Sequence, residues 1–358
     1  MNKDLHGGNI YKFQREGKND ILDYSSNINP LGVAQKFIDI AKENFDKLVN
    51  YPDPYYIELR KKIAEFNSVD MDNIIVGNGA TEILFLYIRA LKPKKVLILA
   101  PCFAEYERAL KSVSTKIEYF ELKESDNFYP NIINLKKEIE NNNYDLLLFC
   151  NPNNPTGQFI KLEDIKEIIE TCENKNTKIF IDEAFIEFIE NWKEKTVSLL
   201  KNKNIFIMRA FTKFFAIPGL RLGYGIGFDE EILNKMWDEK EPWTVNTFAN
   251  LAGLIMLDDK EYIEKSEKWI LEEKKFMYEE LSKFQNIKVY KTECNFILIK
   301  LSNITSESLR EKMIERNILI RDASNFKFLD YHFVRLAIKD RKSNLKMLET
   351  LTGFVEYK

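Results

Sequence analysis

The sequence predicts an α/β protein with a larger domain built on a mainly parallel sheet and a smaller α+β domain. Three observations carry this. Short, uniformly apolar runs alternate with helical patterns from about residue 50 to 230. The character changes after about residue 245, where long charged helix and a few scattered strand-like runs take over. The chain also has 358 residues, more than one hydrophobic core usually holds.

Taken in order, residues 1–45 show no clear pattern and are expected to pack as an arm against the smaller domain. That gives a larger domain over 46–246 and a smaller unit from 1–45 with 247–358. Strands are expected at Ile74–Val76, Lys95–Ala100, Lys116–Leu122, Leu146–Cys150, Lys178–Asp182, Ile205–Arg209 and Leu222–Ile226. Most are apolar throughout rather than alternating, which suits a sheet covered on both faces by helices. Strands separated by helices imply right-handed crossovers and parallel pairing. Ligands of such sheets bind beyond the carboxyl ends of the strands. From Leu251 to Phe284 the chain reads as long, charged helix. Strand-like Ile287–Tyr290, Asn295–Leu301, Ile318–Arg321 and Phe333–Ile338 follow, with a helix at Ser306–Arg316.

Composition removes several classes of function. Hydrophobic residues make up 45% and charged residues 30%, with a net charge of -3, so no basic footprint for nucleic acid exists. The apolar runs are too short to span a bilayer. Met1–Gly8 contains no apolar leader core, so a cytoplasmic location is expected. Cys102, Cys150, Cys172 and Cys294 have no metal-ligand spacing and are expected to be reduced. With only two histidines, His6 and His332, a multi-histidine metal site is excluded and no metal is predicted.

Chemistry-bearing residues gather after the expected strands. Lys213 sits beside Thr212 and among Phe211, Phe214, Phe215, Ala216 and Ile217. A lone loop lysine is usually a solvated charge, but an apolar setting disfavours the ammonium and frees the amine as a nucleophile able to form a Schiff base. Asp182 ends the run Ile179–Ile181; alone it reads as a helix cap, and beside such a lysine as the partner of a pyridinium nitrogen. Gly77-Asn78-Gly79-Ala80-Thr81-Glu82 opens a helix expected at Ile83–Ala90. Its small residues let backbone N–H groups approach a phosphate; the bland alternative is a turn capped by Asn78 or Thr81. Arg221 offers that phosphate a fixed countercharge. Asn154 lies in Asn151-Pro152-Asn153-Asn154-Pro155-Thr156-Gly157, where two prolines can hold its amide toward a ring oxygen, although Asn and Pro are also ordinary turn residues. Phe103, in Pro101-Cys102-Phe103-Ala104-Glu105-Tyr106, is placed to stack on a flat ring or to fill the core.

These strings together resemble the fold-type I pyridoxal phosphate (PLP) enzymes of the aspartate aminotransferase superfamily. Within it, the chain is similar to the branch containing histidinol-phosphate aminotransferase and L-threonine-O-3-phosphate decarboxylase. The resemblance runs from His6-Gly7-Gly8-Asn9 to Arg335. It implies that Lys213 bonds the cofactor, Asp182 meets the pyridine nitrogen, Asn154 the 3′ oxygen and Phe103 the ring face. Gly79, Ala80, Thr81, Thr212 and Arg221 surround the phosphate. Tyr51 reaches it from a neighbouring subunit, which implies a homodimer with shared sites. Substrate contacts are implied for His6, Asn29, Gly32, Asn154, Arg321 and Arg335; Arg335 takes the α-carboxylate, and His6, Asn29 and Arg321 the substrate's own phosphate.

The decarboxylase is favoured by Asp23-Tyr24-Ser25-Ser26-Asn27-Ile28-Asn29-Pro30-Leu31-Gly32, by Ile318–Phe326, and by Phe185 where most aminotransferases of the group carry tyrosine. Its implied reaction converts L-threonine O-3-phosphate to (R)-1-aminopropan-2-ol O-phosphate for the side arm of cobalamin. The alternative is an aminotransferase such as that for histidinol phosphate. One departure stands out: Ala210 replaces the serine or threonine usual three residues before the lysine, which predicts a weaker hold on the cofactor phosphate.

Overall fold

A computed structural model of the chain describes residues 6–356. Met1–Leu5, part of the N-terminal stretch read for a leader, lies outside the described residues.

The strands run β1 (Leu22–Asp23), β2 (Ile74–Asn78), β3 (Lys95–Ala100), β4 (Lys116–Glu121), β5 (Leu146–Cys150), β6 (Lys178–Asp182), β7 (Ile205–Ala210), β8 (Leu222–Gly227), β9 (Ile287–Val289), β10 (Phe296–Leu301), β11 (Ile318–Leu319), β12 (Arg321–Asp322) and β13 (Phe333–Ala337). A seven-stranded sheet has the order β2-β8-β7-β6-β5-β3-β4. The pairs among β7, β6, β5, β3 and β4 are parallel, whereas β8 runs antiparallel to both β7 and β2. Period-two alternation divides its side chains between two cores. Leu97, Leu147, Phe149, Ile179, Ile181 and Ile207 pack on one face; Val96, Ile98, Leu146, Leu148, Phe180 and Met208 pack on the other. Each such side chain contributes about 1.5–3 kcal/mol on burial, and this packing holds the strand ends at fixed spacing.

A four-stranded sheet, β12-β13-β10-β9, forms from the C-terminal part, and β1 pairs in parallel with β11. The N-terminal segment is thus tied to the C-terminal part by a strand pair.

Three local readings are corrected. The long helix expected over Leu251–Phe284 is two helices, Thr247–Met256 and Lys260–Leu281; the Asp259 side chain accepts from Tyr262 N and starts the second. The single strand expected over Ile318–Arg321 is split between two sheets, because β11 pairs with β1 and β12 with β13. The helix expected at Ile83–Ala90 begins at Ala80 with Gly79 at its N-cap, and neither Asn78 nor Thr81 caps it.

No helix among the described residues is long and apolar enough to cross a membrane.

Candidate active site

The carboxyl ends of β5, β6 and β7 open onto a cavity of about 270 Å³. Lys213, Asp182, Arg221, Asn154 and Phe103 all line it, as do Ala80, Thr81, Thr212, His6, Arg321 and Arg335.

Asp182 closes β6 and is 5% exposed. Its Oδ2 accepts from the Tyr106 hydroxyl at 2.5 Å and its Oδ1 from Ala184 N at 2.9 Å. Burial raises its pKa to about 6, against the pull of these two donors and of Lys213. The next residue, Glu183, turns to the other side of the sheet. There it forms an ion pair at 2.6 Å with Arg209, both side chains fully buried, and also accepts from Thr196 Oγ1 and Val197 N. Breaking such a pair leaves an uncompensated buried charge, so the strand end carrying Asp182 is firmly fixed.

Lys213 lies not on a loop but in the helical turn Phe211–Phe214, with Ala210 as its N-cap residue. Burial lowers its pKa to about 8, helped by the charges of Arg335 and Arg221. Roughly a tenth of such an amine is neutral at pH 7, far more than for an ordinary lysine, so a nucleophilic fraction is present beside the ammonium.

Gly79 has φ +76, and a Cβ there would come within 2.4 Å of the Arg221 guanidinium. Only glycine admits this approach. It brings Arg221 against the N-terminus of helix Ala80–Leu91, where free N–H groups and the helix dipole favour an anion.

Arg335 is 6% exposed. It donates to Asn154 Oδ1 at 2.5 Å and to Ser25 O at 2.7 Å, and its Nε has no hydrogen-bond partner among the described residues. Burial, then Arg321, lowers its pKa to about 9. Arg321 donates to Asp322 O at 2.6 Å and to Asn325 Oδ1 at 2.8 Å. His6 Nε2 lies 2.9 Å from Glu105 Oε1, and its ring is 5.4 Å from that of Phe103.

Three predicted site residues lie elsewhere. Asn29 does not line the cavity: its amide donates to Phe214 O at 2.8 Å and Ser266 Oγ at 2.7 Å, and its N–H donates to Lys213 O. It braces the lysine turn instead of reaching a phosphate. Gly32 has φ +71 and its carbonyl accepts from Tyr262 OH, so it shapes a turn. Tyr51 is 81% exposed and packs at a tilt against Trp243 in a surface groove with Leu48, Val49 and Phe248. Tyr106 was not among the predicted residues. Its position three residues after Phe103, at the start of helix Glu105–Lys111, is the signal that places both rings at one site.

The residues fit PLP. Asp182 is a carboxylate whose pKa burial raises, and a pyridinium N–H is a cationic donor suited to it. The Gly79 cradle with Arg221 suits a phosphate, and Lys213 is an amine suited to a carbonyl carbon. Among the described residues no group of three His, Cys, Asp or Glu could hold a metal ion.

Fold and site together define a fold-type I PLP-dependent enzyme. Residues 17–351 match Aminotransferase class I and II, and the chain belongs to that family. It is 43% identical, over 98% of its length and 94% of the relative's, to a protein of Caldanaerobacter subterraneus subsp. tengcongensis provisionally named threonine-phosphate decarboxylase. It is 34% identical to the threonine-phosphate decarboxylase of Salmonella typhimurium, covering 97% of this chain and 95% of that one. A solved structure, the histidinol-phosphate aminotransferase from Clostridium acetobutylicum, superposes with a TM-score of 0.87 at 39% identity, covering 93% of this chain and 98% of that one.

Proposed function

We propose that the protein decarboxylates L-threonine O-3-phosphate to (R)-1-aminopropan-2-ol O-phosphate, a step in cobalamin biosynthesis. One observation carries the reading: three arginines, Arg221, Arg321 and Arg335, line one cavity with the Lys213 amine. Cofactor and substrate together present three anionic groups, the cofactor phosphate, the α-carboxylate and the substrate phosphate. The likeness to the Salmonella enzyme along the whole chain supports the same choice.

Lys213 would hold the cofactor through its amine, Asp182 its ring nitrogen, Asn154 its 3′ oxygen, and Gly79, Ala80, Thr81, Thr212 and Arg221 its phosphate. Phe103 and Ala184 would flank its ring. When bound, PLP supplies a protonated ring that accepts the electron pair of the Cα bond that breaks. Arg335, steadied by Asn154 and Ser25, grips the α-carboxylate, and Arg321 with His6 takes the substrate phosphate. Held at both ends, the substrate presents its Cα–carboxylate bond for cleavage, and CO2 leaves. A proton must then reach Cα, and Lys213, with a pKa of about 8, carries one near neutrality.

Residues 46–246 form the cofactor-binding domain of this reading, and 1–45 with 247–358 the smaller one. The enzyme is a cytoplasmic homodimer in which Tyr51, exposed and outside its own chain's cavity, serves the partner subunit. The second reading, histidinol-phosphate aminotransferase, rests on the 39% identical solved structure. A paired assay on PLP-loaded protein separates them. CO2 from L-threonine O-3-phosphate without a keto acid is the expected result. Glutamate from histidinol phosphate and 2-oxoglutarate, with no CO2, would replace the decarboxylase by the aminotransferase.

A further inference from the structure

A second cavity of about 260 Å³ adjoins the first. His6, Gly7, Ser25, Arg321 and Asn325 border both. These residues form a sill, and its position is fixed. A Cβ on Gly7 would lie 2.1 Å from Ser25 O, so the arm presses directly on that carbonyl; Gly8 N donates to Ser25 Oγ at 2.8 Å. Ser25 in turn supplies the carbonyl that Arg335 grips on the inner side.

On the outer side stand Lys12, exposed on the helix Tyr11–Arg15, and Arg310, half-buried on the helix Ser306–Glu315. Both line the outer cavity, and neither has an ion-pair or hydrogen-bond partner among the described residues. Two carboxylates share the lining, Glu307 and Asp322. Asp322 is engaged by Ser306 Oγ at 2.7 Å and Ser324 N at 2.9 Å. The cations Lys12, Arg310 and Arg321 therefore outnumber the acids, and the two outermost make no ion pair among the described residues. The protein as a whole has net charge -3, so this chamber runs against the charge of the molecule. A concave chamber with an excess of one sign of charge concentrates field and raises the encounter rate of an oppositely charged ligand.

We infer that the outer chamber is an entry site for the substrate's phosphate, with Lys12 and Arg310 as determinants of specificity for phosphorylated amino acids. This rests on the reading of the substrate given above. A phosphate ester that lands between Lys12 and Arg310 has only the sill to cross before it meets Arg321, which faces both cavities. An unphosphorylated amino acid gains nothing from this path.

The test is stopped-flow mixing of PLP-loaded protein with L-threonine O-3-phosphate, read by cofactor absorbance over a range of salt, beside steady-state CO2 release. For Lys12→Ala/Arg310→Ala the association rate constant is expected to fall about three- to ten-fold at low ionic strength, with a flatter salt dependence. Turnover at saturating substrate stays unchanged, association of L-threonine is unaffected, and Lys12→Arg/Arg310→Lys retains the wild-type rate. A double alanine variant with the wild-type rate constant and salt slope overturns the inference while leaving the decarboxylase reading intact. Wild-type protein giving neither an absorbance change nor CO2 with this substrate overturns both.

Discussion

The Tyr106 hydroxyl donates to the Asp182 carboxylate at 2.5 Å, inside a core where both side chains are almost completely buried. This bond favours the ionised carboxylate, the form that can pair with a pyridinium. Without it the pKa of Asp182, already about 6, rises further. A hydrogen bond to a charged group is worth about 1.5–3 kcal/mol, or roughly one to two pH units. In Tyr106→Phe the acid limb of the pH–rate profile should therefore move upward by about that amount and PLP should dissociate faster. An unmoved limb would reduce Tyr106 to a packing residue.

Asp182 also has a cost in the apoprotein. Its pKa rises from 3.8 to about 6 on folding, so the folded state holds a proton that the unfolded state releases. The associated stability is fully present below pH 3.8 and is lost as pH rises through about 6. Apo Asp182→Asn is accordingly expected to melt higher than apo wild type at pH 8, with the difference shrinking in acid, while it binds PLP more weakly. Melting curves of both apoproteins across this range check the sign.

Lys213 has the opposite dependence. Its pKa falls from 10.5 to about 8 on folding, so between these values the unfolded chain holds the extra proton. Stability falls as pH falls across that window. The reconstitution rate of apoprotein with PLP should rise with pH through about 8, as the amine loses its proton. Lys213→Ala should release no CO2 at any pH. Residual catalysis in that variant would remove the lysine from the mechanism.

Ala210 lines the cavity without a hydroxyl, at the N-cap of the turn bearing Lys213. Ala210→Ser should add one charge-assisted bond to the cofactor phosphate and tighten PLP binding roughly 10- to 100-fold, from the usual ~1.5–3 kcal/mol. Equilibrium dialysis of the two holoproteins measures it, and equal affinities would mean that the new hydroxyl points elsewhere.

Much of this was legible from the residues because apolar runs between helical patterns define buried strands almost uniquely. The cavity residues follow those strands directly. What escaped depended on partners far away in sequence. Ile318–Arg321 reads as one strand because hydrophobicity does not record which sheet a residue joins. The resemblance implied a ligand role for Asn29, whereas its partners Phe214 and Ser266 lie 185 and 237 residues away. Tyr106 was given no role, since its partner Asp182 lies 76 residues away. The break at Asp259 could have been read, since an aspartate before a helical run is a capping signal.

The cavity-lining side chains Lys213, Asp182, Asn154 and Arg221 all lie close to strand ends of the large sheet, while His6, Ser25, Arg321, Asn325 and Arg335 come from the arm and the C-terminal part. On the proposed roles, electron handling and substrate choice are therefore inherited on separate stretches of chain. A lineage, or an engineer, can exchange the second set and acquire a new substrate without reinventing the chemistry. Libraries aimed at altered specificity belong in the arm and in residues 319–326 rather than around the lysine.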